Sequence, residues 1–379
     1  MKKIVFLWLR LVVSIGATAA CTVTPSPTLP VKSLYNTPTP ARISKPTMAL
    51  LPPLKNPSGN ASPSPSTSTA NGELFTVPGF QTSSLGKGIQ AQNYVQDTCQ
   101  YLYERWNQPQ NSAPGTVVVP VMFHSITDRK SILPGDVIIT TEYFQSFMEH
   151  AHNLGFETIT TAQLAGFLEN NTFILPRSMI LIVDYQKRAA YFTTFFEPYQ
   201  KKYGWTVTNA WISHPQTPAY LWQENAALAA SGSVDYQAHG VIHNIPMDSS
   251  VSLAYIKGEI YGPLTAMKEH FGKEPIAFIW PGGVFTPLAV SVARQAGYQL
   301  GFTSSPQGPL MFNWIPQNAE ERAANDPLLT LPRYWDTDAY FDFDKAVKIA
   351  EEAQAFAEQN KALELGLYGQ YCNGYPGLK

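Results

Sequence analysis

The chain has 379 residues, a formal net charge of −2 and 14% charged residues. Its length allows two domains, but one large α/β domain with a long tail fits equally well. A nearly neutral chain without a basic patch argues against nucleic-acid binding and against electrostatic docking to a membrane.

The amino terminus predicts export. Three basic residues among the first ten precede an apolar run that ends in Thr-Ala-Ala before Cys21. The run is too short to cross a bilayer, and its small-residue end is typical of a cleaved signal. Residues 18–21 resemble a bacterial lipoprotein box, although Thr18 stands where that box usually has Leu. We expect residues 1–21 to be a lipoprotein-type signal peptide that leaves the protein lipid-anchored at the cell surface; the alternative is an ordinary secreted protein.

A linker and a lead-in arm follow the signal. Of the 31 prolines, 11 lie between residues 22 and 71, and the first acidic residue is Glu73. Such a segment cannot bury enough apolar surface to offset its ordering entropy, so residues 22–72 are expected to be a disordered linker. Residues 73–113 form a predicted helical arm, with a helix at 94–106.

Two further cysteines mark the ends of the predicted folded region. Once Cys21 is set aside, only Cys99 and Cys372 remain. Domain termini often lie close together, so in an oxidising compartment these two could form a disulfide. The disulfide is held as a hypothesis.

Strands and helices alternate through the main domain, residues 114–340, which precedes a C-terminal helix and tail at 341–379. The predicted strands are 116–123, 156–160, 178–183, 205–213, 233–238, 275–280 and 298–303. The predicted helices are 142–154, 161–169, 191–203, 219–230, 252–271, 287–297 and 343–359, with an irregular region at 306–326. Alternation of this kind indicates a parallel sheet covered by helices, and about seven repeats favour a closed barrel.

Polar side chains follow four of the predicted strands where each strand ends. They are His124, Asp184, His214 and His239. In barrels of this kind the chemistry gathers at the carboxyl ends of the strands. The cluster is difficult to attribute to packing alone.

The pair His239 and His243 predicts a metal site. If the chain coils after its strand, two residues four apart lie on one helical face, and both imidazoles can bind one cation. The alternative is a His pair that merely decorates a helix. A hydrolytic zinc site needs a third protein ligand, which must come from elsewhere in the chain.

Four motifs occur in order along residues 117–304. Residues 119–126 read Val-Pro-Val-Met-Phe-His-Ser-Ile, 175–184 form an apolar strand ending in Asp184, the His pair follows, and 278–283 read Phe-Ile-Trp-Pro-Gly-Gly. Together they resemble the polysaccharide deacetylases, carbohydrate esterase family 4, with its NodB homology domain. The opening strand is similar to the branch that deacetylates poly-N-acetylglucosamine. The resemblance implies an α/β fold, a distorted (β/α)7 barrel.

The resemblance implies roles for several residues. Asp184 matches the family's general base, and His239 and His243 match its metal ligands. Tyr185 occupies the position of the family's second, metal-binding carboxylate. Either Asp184 takes the ligand role and the base is lost, or the metal has two His with water, with or without a Tyr185 phenolate. Gln237 is expected to contact a metal-binding imidazole without binding the metal itself.

A second departure concerns the proton donor to the leaving amine. The family usually supplies a late His, and this chain has none after His270. His124 and His214 are the substitutes, and we place the acid at His124 and His214 in substrate binding. The alternative for each is a structural, hydrogen-bonded His. Trp280, Pro281 and Gly282 are expected to contact the sugar, and the alternative for Trp280 is a buried core residue.

These observations predict a metal-dependent hydrolase that removes acetyl groups from an N-acetylated cell-surface or extracellular polysaccharide. The expected cofactor is a divalent metal, with zinc the best match to imidazole ligands. The alternative is a carbohydrate-binding pseudo-deacetylase with a weakened metal site. We expect a monomer that binds no nucleic acid and meets the membrane only through its lipid anchor.

Overall fold

The computed structural model describes residues 75–128, 137–243 and 246–378. The predicted signal peptide, Cys21 and the 22–72 linker lie outside these residues. The strands are β1 Gln90–Gln92, β2 Val117–Phe123, β3 Ser125–Thr127, β4 Ile138–Thr140, β5 Glu157–Thr158, β6 Arg177–Asp184, β7 Val207–Trp211, β8 Val234–Ala238, β9 Ala277–Ile279, β10 Leu300–Phe302, β11 Ile315–Gln317 and β12 Tyr334–Trp335. The helices are α1 Thr98–Trp106, α2 Thr141–Asn153, α3 Thr161–Asn170, α4 Ala189–Phe195, α5 Glu197–Tyr203, α6 Ala219–Ala230, α7 Leu253–Phe271, α8 Pro287–Gln295, α9 Ala319–Ala323 and α10 Ala339–Tyr371, with 3₁₀ turns at Pro281–Gly283 and Pro327–Leu329.

A parallel sheet forms the centre of the fold. Its strands follow the order β10-β9-β8-β7-β6-β2-β12, and the short β5 pairs with the first half of β6. Strand β7 pairs with the second half of β6, so β5 and β7 pair with different parts of the same strand. The helices that connect the strands cover the outside, as parallel strands require.

Residues 331–335 close the sheet into a barrel. Leu331 forms a parallel bridge with Phe302 of β10, and its carbonyl accepts a hydrogen bond from the Thr303 amide at 2.8 Å. Three positions further on, Tyr334 and the following Trp335 pair with β2. The segment therefore bonds to both edges of the sheet. The predicted distorted (β/α)7 barrel is confirmed.

Alternation along the strands separates two apolar clusters. Val119, Val121 and Phe123 of β2 pack with the covering helices, whereas Val118 belongs to a second cluster with the inward-facing Ile180 of β6. Successive strand residues point to opposite faces, so this pattern fixes which side chains face the barrel interior.

One predicted helix is broken in two. The prediction at 191–203 becomes α4 and α5, with the break before Pro198. Proline disfavours helical backbone in the residue before it and supplies no amide proton, so the helix restarts there. The region 306–326, predicted irregular, contains β11, which pairs antiparallel with β1, and the short α9.

The C-terminal helix belongs to the main core. Phe343 packs edge-on against Phe147 of α2, with ring centroids 5.4 Å apart. The boundary predicted at residue 340 therefore does not separate two cores. The predicted disulfide is present, joining Cys99 to Cys372 with Cα atoms 5.5 Å apart. Within residues 75–128, 137–243 and 246–378, no helix combines the length and apolar character that a membrane span needs.

Candidate functional site at the carboxyl end of the barrel

Strand alternation brings three of the predicted polar residues to one end of the barrel. His124, Asp184 and His239 each lie one position after an outward-facing residue, so they turn to the interior side at the carboxyl end of β2, β6 and β8. All three are buried. The structure thus assembles side chains that are far apart in sequence.

Arg333 binds the Asp184 carboxylate. Its Nη1 donates to Oδ1 of Asp184 at 2.6 Å, and its Nε donates to the Thr303 carbonyl at 2.7 Å. Burial alone would raise the pKa of Asp184, but the guanidinium and the nearby His239 hold that pKa below its usual value. Asp184 is therefore ionised at neutral pH. Sequence reasoning did not identify Arg333 as a site residue.

His239 has a fixed tautomer. Its Nδ1 donates to the Ile279 carbonyl at 2.9 Å, which leaves the lone pair on Nε2. Burial lowers the pKa of His239 to about 3, so the ring is neutral at neutral pH. This carbonyl takes the place predicted for Gln237, whose side-chain oxygen instead accepts from the backbone of Ile276 and Ala277.

His243 meets His239 through a loop. The two ring centroids lie 4.2 Å apart, and the Nε2 atom of His243 is buried with no hydrogen-bond partner among the described residues. Burial also lowers the pKa of His243. The predicted helical coil is wrong, because residues 239–243 are not helical and His243 has a positive φ of 61°.

Glu259 of α7 shapes this loop. Its carboxylate accepts hydrogen bonds from the backbone amides of Val241, Ile242 and His243, at 2.9, 2.9 and 3.3 Å. Only 2% of Glu259 is exposed. Three amide donors compensate the buried charge and fold the chain back so that the second imidazole reaches the first. Sequence reasoning did not identify this residue.

Tyr185 lies over the imidazoles. It has a positive φ of 69°, which breaks the strand alternation after Asp184. Its ring centroid lies 5.1 Å from that of His243 and 5.7 Å from that of His239. Burial and the Asp184 carboxylate raise the pKa of Tyr185, so the protein by itself favours the phenol.

His124 faces the other side of Asp184. Its Nε2 lies 3.8 Å from Oδ2 of Asp184, and its ring stacks on Trp335 with centroids 5.4 Å apart. Burial lowers the pKa of His124. Close by, Asp336 is only 1% exposed, and burial raises the pKa of its carboxyl to about 7. Asp336 is a further residue that sequence reasoning missed.

The sugar contacts predicted at Trp280 are wrong. Its indole is fully buried and donates from Nε1 to the Leu329 carbonyl at 2.8 Å, so no face is open to a ligand. Pro281 is also buried, whereas Gly282 is exposed in the turn after β9. His214 lies in the turn after β7, where its Nδ1 accepts from the Gln216 amide at 3.1 Å.

The side chains offer two nitrogen ligands for a divalent ion. Among the described residues, no group of three His, Cys, Asp or Glu side chains is placed around one ion. Nε2 of His239 carries a lone pair, and Nε2 of His243 lacks a partner, so both atoms suit a metal. Asp184 is instead held by Arg333. The arrangement favours two imidazoles with water or the Tyr185 oxygen over a ligand role for Asp184.

Comparison with known proteins agrees with this geometry. Residues 176–301 match the family described as polysaccharide deacetylase, a range that includes Asp184, His239 and His243. Over this range the chain is similar to polysaccharide deacetylases, which are hydrolases that cleave non-peptide carbon–nitrogen bonds. No curated protein matches the whole chain in a sequence search.

Several solved structures are similar in fold. The chain is similar to the Streptococcus pyogenes deacetylase PplD in complex with acetate, at 17% identity and a TM-score of 0.48, over 60% of this chain and 98% of that one. It is similar to the polysaccharide deacetylase BC0361 from Bacillus cereus, at 19% identity and a TM-score of 0.47, over 61% of this chain and 69% of that one. It is also similar to IcaB from Ammonifex degensii, at 17% identity and a TM-score of 0.45, over 63% of this chain and 97% of that one.

Proposed function

We propose that this chain, whose residues 176–301 are similar to polysaccharide deacetylases, removes acetyl groups from an N-acetylated polysaccharide at the cell surface. The observation that carries the proposal is the cluster at the barrel mouth. An ionised carboxylate, Asp184, lies 3.8 Å from Nε2 of the neutral His124, and the neutral rings of His239 and His243 lie 4.2 Å from each other in the same cluster. Hydrolysis of an amide needs a proton acceptor, a proton donor and charge stabilisation in one place.

Asp184 is the proton acceptor. Its Oδ1 is bound by Arg333, so the carboxylate is fixed in orientation, and Oδ2 is the oxygen that faces His124. Water adds to the acetyl carbonyl carbon while its proton passes to Asp184. Because the pKa of Asp184 is held low, the carboxylate is ready to accept a proton over the whole neutral range.

His124 is the proton donor to the leaving amine. Its ring is neutral at rest because burial lowers its pKa, so it must first receive a proton. The proton taken from water passes from Asp184 across the 3.8 Å gap to Nε2 of His124 and then to the nitrogen as the carbon–nitrogen bond breaks. Acetic acid and a free amine are the products, and both side chains return to their starting states; the acid then gives its proton to the solvent and becomes acetate.

His239 and His243 would hold a divalent ion, and Tyr185 borders both rings as an oxygen donor. Nitrogen donors suit zinc better than magnesium or calcium. When bound, the ion would polarise the acetyl carbonyl oxygen as a Lewis acid. The chain's own contribution is to keep both imidazoles neutral and to hold their ring centroids 4.2 Å apart.

Two features that predict export support a substrate at the cell surface. The sequence of residues 1–21 is typical of a lipoprotein-type signal, and a disulfide between Cys99 and Cys372 fits an oxidising compartment. The protein would act as a monomer on polysaccharide within reach of its lipid anchor.

Acetate release tests the proposal. The full chain is incubated with penta-N-acetylchitopentaose, either with added zinc or with a chelator, and acetate is measured. We expect release with zinc, reduced by the chelator, and a loss of at least about 100-fold in Asp184→Asn. Asp235→Asn is the matched control, since Asp235 is also ion-paired, to Lys273, but lies four residues before His239 on β8. The absence of acetate from the zinc-loaded wild type would contradict the proposal.

A further inference from the structure

The backbone turns sharply where β6 ends at Asp184. The next residue, Tyr185, has a positive φ of 69°, a conformation that residues other than glycine seldom adopt. Such a conformation costs free energy and persists only where the surrounding structure imposes it. The turn places the Tyr185 ring centroid 5.1 Å from that of His243. The contacts that impose the turn therefore determine where a ring beside the two imidazoles lies.

Asn209 of β7 supplies two of these contacts. Asn209 pairs with Val183 in the register of the parallel sheet. Its Nδ2 donates to the Val183 carbonyl at 2.7 Å and to the Tyr185 carbonyl at 2.9 Å. These carbonyls belong to the residues on either side of Asp184. One side-chain amide therefore holds the backbone both before and after this carboxylate.

The side chain of Asn209 has no other hydrogen-bond partner among the described residues. Asn209 is 0% exposed, so it cannot touch a substrate, and its Oδ1 is buried without a partner in this part of the chain. A buried polar group costs free energy unless it is hydrogen-bonded. Both of the bonds that compensate Asn209 go to the turn at Tyr185.

Side-chain amides also hold the two residues that follow Tyr185. Nε2 of Gln186 donates to the Ile212 carbonyl and, at 2.6 Å, to Oγ1 of Thr217. Nδ2 of Asn225 donates to the Lys187 carbonyl at 3.0 Å. The segment after Asp184 is thus attached to β7, to the loop after β7 and to α6. Within this set, Asn209 is the side chain that bonds to Tyr185 itself.

We propose that Asn209 is a positioning residue for the site at the barrel mouth. Its two hydrogen bonds keep Tyr185 at a positive φ and so fix the Tyr185 ring beside the imidazoles. Arg333 orients the carboxylate of Asp184, and Asn209 fixes the backbone that carries it. A contribution of Asn209 to acetate release rests on the proposed function, whereas its hold on the backbone does not.

Asn209→Asp tests the proposal. The side chain keeps its shape, but a carboxyl group has one proton to donate when neutral and none when ionised, so at least one of the two bonds is lost. The full chain is labelled with 3-fluorotyrosine, and its fluorine NMR spectrum is recorded. Loss of one signal in Tyr185→Phe identifies the signal of Tyr185. We expect this signal to shift by more than its line width in Asn209→Asp, because the ring moves relative to the histidine rings around it.

Zinc affinity and kinetics give two further measurements. Competition with a chelating dye should show zinc binding at least about tenfold weaker in Asn209→Asp, as for other residues that orient metal ligands without binding the metal. The kcat for acetate release should fall by a similar factor while KM stays unchanged, since Asn209 makes no contact with substrate.

Asn171→Asp is the matched control. Asn171 is 3% exposed, its Nδ2 donates to the carbonyls of Glu104 and Ser112 at 2.8 and 2.9 Å, and its Oδ1 also lacks a partner among the described residues. The same substitution therefore removes the same kind of bond, but before β2 and after α3, away from the histidines. Its melting temperature should fall as in Asn209→Asp, with the Tyr185 signal and zinc affinity unchanged.

The fluorine signal decides the outcome, because it needs neither zinc nor substrate. An unmoved Tyr185 signal in Asn209→Asp, or an equal shift in Asn171→Asp, would overturn the inference. If Asn209→Asp does not fold, Asn209→Thr, which suits a strand and has one donor, is judged by the same signal. A shifted signal without acetate release from the wild type refutes only the proposed function, and acetate release with an unmoved signal refutes only the inference.

Discussion

At the scale of single residues, the site departs at Tyr185 from the pattern of the polysaccharide deacetylases that it resembles. The family's second carboxylate is replaced by a phenol whose backbone has a positive φ of 69°. Asp tolerates that conformation better than Tyr, because its short side chain can bond locally. The position therefore has both the location and the backbone for an acidic metal ligand.

We predict that Tyr185→Asp raises zinc affinity at least about tenfold, because it supplies a charged third protein ligand beside the two imidazoles. Competition with a chelating dye measures the change. Tyr185→Phe is the control, since it keeps the ring but adds no carboxylate and should show no rise. Equal or weaker zinc binding in Tyr185→Asp would mean that position 185 does not face the ion.

Asp336 makes stability depend on pH. Its pKa is raised by burial from 3.8 to about 7, so between these pH values the folded state binds a proton that the unfolded state has released. The titration of Asp336 therefore causes a loss of unfolding free energy as the pH rises from 4 to 7. In Asp336→Asn this loss should be smaller by about 4 kcal/mol, since three pKa units correspond to that free energy.

Urea unfolding at a series of pH values, followed by tryptophan fluorescence, measures this difference. Asp338→Asn is the control, because Asp338 is an exposed carboxylate two residues away and should leave the slope unchanged. Stability curves for the wild type and Asp336→Asn that run parallel from pH 4 to 8 would contradict the prediction.

At the scale of elements, α7 positions the histidine loop through one side chain. Glu259→Gln keeps the size of the side chain but replaces one of its two acceptor oxygens with an NH2 group, which cannot accept from a backbone amide. We expect a loss of about 1–3 kcal/mol in unfolding free energy and a 10–100-fold loss in zinc affinity. Glu269→Gln, an exposed change on the same helix, should alter neither quantity. Unchanged zinc affinity in Glu259→Gln would show that the loop holds its shape without this contact.

Elements with local signals could be predicted from sequence, and contacts between distant segments could not. Helix α6 was predicted at its observed bounds, because Pro218 and Gly232 mark its two ends. Arg333 could not be predicted, since it reaches Asp184 across 149 residues of chain through the segment that closes the barrel. The contact that buries Trp280 could not be predicted for the same reason, because its indole donates to the carbonyl of Leu329, 49 residues further along the chain.

At the scale of the whole molecule, helices near the two ends of the described chain pack together and are joined by a disulfide. Leu102 and Trp106 of α1 pack against Ala357 and Tyr368 of α10, and the Cys99–Cys372 disulfide joins these helices across 273 residues. The same two helices line a cavity at the amino end of the barrel, through Tyr101 on α1 and Ala353 on α10. The disulfide thus stabilises the amino end of the barrel, away from the histidines.

Replacing both cysteines with serine should therefore lower the unfolding free energy by about 2–5 kcal/mol, because the unfolded chain regains the entropy of a long loop. Thermal unfolding with and without a reducing agent measures the effect and supplies its own control. Reduction should bring the wild type down to the melting temperature of the double variant and leave that variant unmoved. Acetate release per folded molecule should persist, since the cluster at the barrel mouth lies at the other end of the strands. A reducing agent that shifts the double variant as much as the wild type would show that the effect does not come from this bond.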